Sequence, residues 1–265
     1  MILRACMIAT LACVSSMAQA CGPDTDCEIN DGHYRIRMPD GDAKGAIVFA
    51  HGYRGSAQGT MNNKSLARLA DRLGVALIAI KSYDQDWTIA GAPSQGTRPE
   101  RDEVAYVGRV VDDAVGRFDL DPDRFIASGF SAGGMLVWTL ACHDSDRFAA
   151  FVPLSGTFWQ PEPTKCTSPP ANLIHYHGTT DEIVPLRGRP IGPTHQGDLP
   201  KVIEMYRAYG GYDTALVPDP EEGLTCAAGL SDEGARLELC TFEGGHTFKS
   251  TYIERVWHMF LSEEG

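Results

Sequence analysis

The sequence is short of positive charge, of long apolar runs and of repetition. Its 265 residues carry 23 Lys and Arg against 35 Asp and Glu, a formal charge of −12 at pH 7. Such a chain has no broad basic field for nucleic acid or anionic lipid, which sets those partners aside. No segment has the roughly 20 consecutive apolar residues that a membrane-spanning helix needs. There is no internal repeat, no low-complexity tract and no long linker. The eight cysteines include no Cys-x2-Cys pair, so no zinc site is expected and no metal ligand is assigned. The composition that remains, 43% apolar and 22% charged, is that of a globular protein and excludes bulk disorder.

The first twenty residues read as an export signal. Arg4 gives a small positive start, Ala5 to Val14 is an apolar run, and Ala18-Gln19-Ala20 matches a small-x-small cleavage pattern. A single domain is expected over residues 21–265, outside the cytoplasm, in the periplasm or the medium. Cys21 directly follows the expected cut, so a lipid anchor at Cys21 is the competing reading. Cys6 and Cys13 leave with the signal, and Cys21, Cys27, Cys142, Cys166, Cys226 and Cys240 remain. An even number of cysteines in an exported chain suggests disulfides, and six allow fifteen connectivities. Proximity favours Cys21–Cys27, Cys142–Cys166 and Cys226–Cys240.

Apolar strands alternate with helical patterns. His33 to Pro39 alternates like an edge strand, Ala46 to Ala50 reads as a buried strand and Ser65 to Leu73 as a helix. Val75 to Ile80 is a further strand. Arg101 to Phe118 is helical, with Val104, Val107, Val110, Val111 and Val115 at helical spacing. A strand over Arg124 to Ser128, a helix over Ala132 to Cys142, and strands over Ala149 to Leu154 and Leu173 to Tyr176 follow. Lys201 to Tyr209 is helical, Leu237 to Phe242 a late strand and Tyr252 to Leu261 a closing helix. The fold class is α/β, with a mostly parallel central sheet covered by helices on both faces.

The strongest chemical signal is Gly129-Phe130-Ser131-Ala132-Gly133-Gly134, between a strand and a helix. G-x-S-x-G in that setting is a nucleophile elbow, a sharp turn that lifts the serine oxygen above the sheet edge. A serine hydroxyl needs a base to take its proton, and a third group to orient the base. In such folds the order along the chain is Ser, then acid, then His. His246, in Glu243-Gly244-Gly245-His246 just after the late strand, is the expected base. Asp181, in His177-Gly178-Thr179-Thr180-Asp181, is the expected acid, with Glu182 its neighbouring competitor and Asp213 a distant one. The backbone N–H of Ala132 supplies one oxyanion donor. The second is expected from Tyr53, in the turn His51-Gly52-Tyr53, unless His51-Gly52 only shapes that turn. His177 is placed in the turn after its strand and His175 against a sheet layer.

At these residues the sequence resembles single-domain esterases related to poly(3-hydroxybutyrate) depolymerases and feruloyl esterases, within the α/β-hydrolase superfamily. The resemblance is carried by AIVFAHGY (46–53), Trp87 with the Arg101–Tyr106 helix start, DPDRFIASGFSAGGML (121–136), FAAFVPLSG (148–156), IHYHGTTDEIVP (174–185) and EGGHTF (243–248). It implies an α/β-hydrolase fold, an exported enzyme without a cofactor, Ser131, Asp181 and His246 as triad, and Tyr53 and Ala132 as oxyanion donors. Relatives often follow the histidine with Trp-Pro. Here Thr247-Phe248-Lys249 stands instead, and no polymer-binding domain is recognisable, which weakens any claim on crystalline polyester.

The expected reaction is hydrolysis of carboxylic esters through an acyl-enzyme. The depolymerase-like reading stands beside a feruloyl or acetyl-xylan type of carbohydrate esterase, and beside a non-catalytic secreted binding module on the same fold. A serine peptidase would need an added propeller or cap. Trp87 and Trp159 sit on loops at the expected active edge, where an aromatic can stack on a ring or grip an ester chain. The segments Gln160–Pro170 and Leu186–Pro200 are polar and rich in Pro and Gly, unlike an apolar lid. An open cleft is expected, with a small or polymeric ester as the partner.

Overall fold

A computed structural model describes residues 21–94, 101–218 and 221–262. The expected export signal, Met1 to Ala20, lies outside the described residues. Strands β1 (Cys27–Ile29), β2 (Gly32–Arg37), β3 (Ala46–Ala50) and β4 (Ala76–Ile80) come first, with helices α1 (Ala57–Met61) and α2 (Lys64–Leu73) between β3 and β4. Helix α3 (Glu103–Phe118) leads to β5 (Phe125–Phe130), α4 (Ala132–His143), β6 (Ala150–Leu154) and β7 (Leu173–Gly178). A two-residue hairpin, β8 (Pro190–Ile191) and β9 (Thr194–His195), precedes α5 (Leu199–Gly210). The chain then forms β10 (Thr214–Leu216), β11 (Leu224–Leu230), β12 (Arg236–Phe242) and α6 (Ser250–Leu261).

Ten strands form one sheet in the order β1-β2-β4-β3-β5-β6-β7-β12-β11-β10. From β4 through β12 neighbouring strands run parallel. Both faces of β3 and β4 are buried, and this is why AIVFA and ALIAI are continuous apolar runs rather than alternating ones. Helices α1, α2 and α6 cover one face, around Leu66, Leu69, Val256 and Trp257. Helices α3, α4 and α5 cover the other, around Val110, Leu136, Trp138 and Tyr206. The chain leaves β3 towards β4 on one side and returns through α3 to β5 on the other. Loops after β3 and β5 therefore diverge, which opens a crevice at the carboxyl ends of these strands.

Two expectations are corrected. The first alternating strand is not at the edge: β2 pairs with β4 on one side and with the three-residue β1 on the other. At the far end, β11 and β10 add an antiparallel extension to β12 that the expected element order lacked. Their residues are small and half exposed, and cross-strand pairing fixes them rather than a buried apolar run. Cys21, the residue a lipid anchor would use, is bonded to Cys27. The other proximity pairs form as well, Cys142–Cys166 and Cys226–Cys240. Cys226 and Cys240 sit opposite one another in the β11–β12 ladder.

Candidate active site

The turn from β5 into α4 is tight at every position. Ser131 has φ 59° and ψ −121°, a conformation that costs a non-glycine residue of order 1–3 kcal/mol and needs its surroundings to hold it. Its N–H donates to the Leu154 carbonyl at 2.9 Å and its carbonyl accepts from Met135 N at 3.1 Å. A Cβ on Gly133 would lie 2.0 Å from the Ala50 carbonyl oxygen, and one on Gly129 would lie 2.5 Å from the Gly133 carbonyl oxygen. Glycine there lets the start of α4 rest on β3, which sets the serine at the crevice.

The loops after β7 and β12 meet beside it. Thr179 N donates to Phe242 O at 2.9 Å, and Thr180 N to Gly244 O at 3.0 Å. Asp181 is buried, while Glu182 points to solvent and Asp213 faces Arg207. Oδ1 of Asp181 accepts the N–H groups of Ile183 at 2.9 Å and Val184 at 2.8 Å. Oδ2 lies 2.7 Å from Nδ1 of His246. With a carboxylate at Nδ1, the neutral imidazole carries its proton there and leaves a lone pair on Nε2. Burial pushes the Asp181 carboxyl up, but hydrogen bonds from His177, His246 and Val184 outweigh it and hold the group well below the usual carboxylate range. Asp181 is therefore ionised at neutral pH.

The His246 ring lies 4.6 Å from the ring of Phe130, the residue before the serine. Phe248 packs on Phe130 at 5.0 Å and on Phe49 at 5.8 Å, and so ties the histidine loop to the central strands. Among the described residues no hydrogen bond joins the Ser131 hydroxyl to His246.

The turn after β3 packs on the elbow, with a Cβ on Gly52 placed 3.3 Å from that of Ser131. His51 shapes this turn: its Nε2 accepts Ser82 N–H at 3.2 Å and its Nδ1 lies 2.8 Å from Gly52 O. Burial lowers its pKa to about 4, so the ring is neutral and Nδ1–H is the donor. Among the described residues neither the Tyr53 nor the Ala132 N–H is engaged by another acceptor. Tyr53, Ser131 and Ala132 share the wall of one cavity of about 590 Å³.

The two tryptophans separate. Trp159 is buried but lines this cavity. Trp87 does not: it is fully buried, its Nε1–H donates to His51 O at 2.9 Å, and its ring lies against His51. An indole gains more from burying its area with its N–H satisfied than from facing water, so Trp87, expected to contact substrate, instead supports the turn after β3 from within. The sequence reading missed Tyr83, Asp86, Arg189 and Gln196, which also line the cavity. Only the loop positions of Tyr83 and Asp86, next to Trp87, hinted at them. Of the exposed large apolar side chains, Tyr53, Tyr83 and Ile183 all stand at this cavity.

Residues 101–191 match the phospholipase/carboxylesterase family. A protein of Nocardia uniformis subsp. tsuyamanensis named as an esterase, NocK, is 30% identical over 232 residues, which are 80% of this chain and 67% of that protein. The chain belongs to the α/β-hydrolase esterases. This esterase is also 23% identical over 225 residues to the bifunctional acetylxylan esterase/xylanase XynS20E of Neocallimastix patriciarum, covering 82% of this chain but 31% of that protein. The acetyl xylan esterase from Aspergillus awamori superimposes with a TM-score of 0.62 at 14% identity, over 89% of this esterase and 98% of that chain. A phospholipase/carboxylesterase from Dyadobacter fermentans DSM 18053 gives 0.58 at 17% identity, over 88% and 97%. At these identities the likeness is one of fold, the α/β-hydrolase fold expected from the elbow.

Proposed function

We propose that this esterase is an exported serine enzyme that hydrolyses carboxylic esters through an acyl-enzyme, with Ser131 as nucleophile, His246 as base and Asp181 as the acid that orients it. The observation that carries the reading is the 2.7 Å contact of Asp181 Oδ2 with His246 Nδ1, on a loop whose imidazole packs beside the elbow. Nε2 of His246 takes the Ser131 proton as the hydroxyl oxygen attacks the ester carbonyl. The N–H groups of Tyr53 and Ala132 hold the oxyanion, each such donor being worth roughly 10²–10³ in rate. His246 then protonates the leaving alcohol, and water attacks the acyl-enzyme by the reverse proton route. Three disulfides support export.

For substrate, the cavity supports a carbohydrate ester first. Its wall sets Asp86, Gln196 and Arg189 among Tyr53, Tyr83 and Trp159, a mix of polar groups and aromatic faces suited to a hydroxylated ring. The likeness to the acetylxylan esterase/xylanase adds to that reading. Hydroxybutyrate oligomers, the depolymerase-like reading, match the apolar rim but not the polar wall. The test is release of p-nitrophenol from its butyrate ester, and of acetate from acetylated xylan, by wild type and Ser131→Ala. We expect the substitution to lower kcat by roughly 10⁴-fold or more while the protein stays folded. Equal turnover by both proteins would overturn the nucleophile, and cleavage of hydroxybutyrate oligomers alone would restore the polyester reading.

A further inference from the structure

A buried row of hydrogen bonds runs from the core to the acid loop. Trp138 on α4 donates from Nε1 to Nδ1 of His175 at 3.1 Å. Nε2 of His175 lies 2.9 Å from Nδ1 of His177. Nε2 of His177 lies 2.8 Å from the Val184 carbonyl oxygen and 3.4 Å from Oδ2 of Asp181. Trp138, His175 and His177 are all 0% exposed.

The direction of donation is fixed by chemistry. An indole N–H can only donate, so Nδ1 of His175 is an acceptor and its proton sits on Nε2. Nδ1 of His177 then accepts and its Nε2 donates. Both groups at the far end, a carbonyl and a carboxylate, can only accept. The reverse arrangement would aim a buried lone pair at two oxygens, at the cost of an unsatisfied polar group. Burial, with the neighbouring His177, pushes His175 far below the usual histidine pKa, which keeps that ring neutral.

We propose that His177, locked in its Nε2–H form by Trp138 and His175, is a positioning residue that ties the Val184 carbonyl and the Asp181 carboxylate together and so aims the acid at His246. The proposal rests on the triad reading above. The Val184 N–H already binds Oδ1 of Asp181, so a donor on its carbonyl closes the loop from both sides. A neutral donor does this without a cation, which leaves the full negative charge of Asp181 for the imidazolium that forms on His246. A Lys or Arg at the same place would spend part of that charge on its own.

The first measurement needs no variant. Long-range ¹H–¹⁵N correlation spectra of the disulfide-intact protein at pH 7.5 should show both buried histidines as Nε2–H tautomers. An Nδ1–H form in either ring overturns the proposal. The second compares His177→Leu with His177→Gln, whose amide nitrogen falls near the position of ring Nε2. His177→Leu should lower kcat on p-nitrophenyl butyrate by roughly 10- to 100-fold with KM changed less than twofold, the size expected for a misaimed group. His177→Gln should recover most of the loss. Full activity in His177→Leu, or equal loss in both variants, overturns the role, and if the leucine variant does not fold, the spectra and the glutamine variant decide. Ser131→Ala separates the two readings. If it is inactive while His177→Leu is fully active, only the positioning role falls, whereas an active Ser131→Ala removes the triad itself.

Discussion

Asp86 has a single hydrogen bond among the described residues, from the Trp87 N–H to Oδ1 at 2.9 Å. Burial raises its carboxyl from 3.8 to about 6, with that N–H lowering it only in part. Between those two values the folded protein holds a proton that the unfolded chain has released. Stability at this site therefore falls as pH rises through the window, and the cost is complete above it. Asp86→Asn keeps an oxygen for Trp87 and removes the ionisation. The variant should be more stable than wild type by about 1–2 kcal/mol at pH 7.5, a figure discounted for partial exposure, and should show no gain at pH 3.5. Urea unfolding at the two pH values checks this, and an equal effect at both would mean that the charge of Asp86 is not the cause.

Ser131, Asp181 and His246, the triad we propose, stand out in the sequence because each lies in a Gly-containing turn directly after an apolar strand. Trp87 misleads for a physical reason: a loop position in sequence does not tell whether the ring folds inward. The His175–His177 pair does leave a trace in the sequence. Residues two apart on a strand share a face, so two histidines at that spacing in β7 had to meet the same neighbours. Their donor, Trp138, is distant in sequence and nothing local points to it.

Among the elements, the parallel strands were readable because burial on both faces demands unbroken apolar runs. The antiparallel strands beyond β12 were not. Thr214–Leu216 and Leu224–Leu230 carry Ala, Gly and Thr, and owe their conformation to pairing and to Cys226–Cys240. The bridge Cys142–Cys166 has a more direct bearing on the cavity. It fastens the segment after β6, which contributes Trp159 to the wall, to the end of α4, and Thr167 N donates to Cys142 O at 2.8 Å beside it. Closing a loop of 24 residues restricts the unfolded chain by about 3 kcal/mol in the chain-entropy account. Replacing both cysteines by serine should cost about that much in urea unfolding and should raise KM more than it lowers kcat, since the elbow itself is held by β3, β5 and β6. A variant as stable as wild type would mean that α4 already confines the segment without the bridge.

Across the whole molecule, the response to acid is set by groups that must not change charge. Burial lowers His51 to about 4 and drives His175 far below its ordinary value of 6.5. Below pH 6.5 the unfolded chain gains protons that these two folded rings refuse, so stability drains as pH falls from 6.5 towards 4. Asp181, held well below the usual carboxylate range, adds a further loss below about pH 4. Asp86 acts in the opposite sense over part of the range and offsets a portion. The unfolding free energy should drop by roughly 3 kcal/mol or more between pH 7 and pH 4, because each tenfold difference in proton affinity between the folded and unfolded chain is worth about 1.4 kcal/mol. Denaturant titrations at pH 7, 5.5 and 4 measure it, and a flat profile would show that the two rings accept protons without unfolding the chain.

The proposed triad and oxyanion donors come from four separate stretches, at residues 51–55, 129–133, 178–184 and 244–248. No contiguous fragment of the polypeptide holds more than part of them. Turnover is thus a gauge of the completed assembly: a half-folded chain has the same amino acids and none of the chemistry, and a single enzymatic assay reports whether every crossover has found its place.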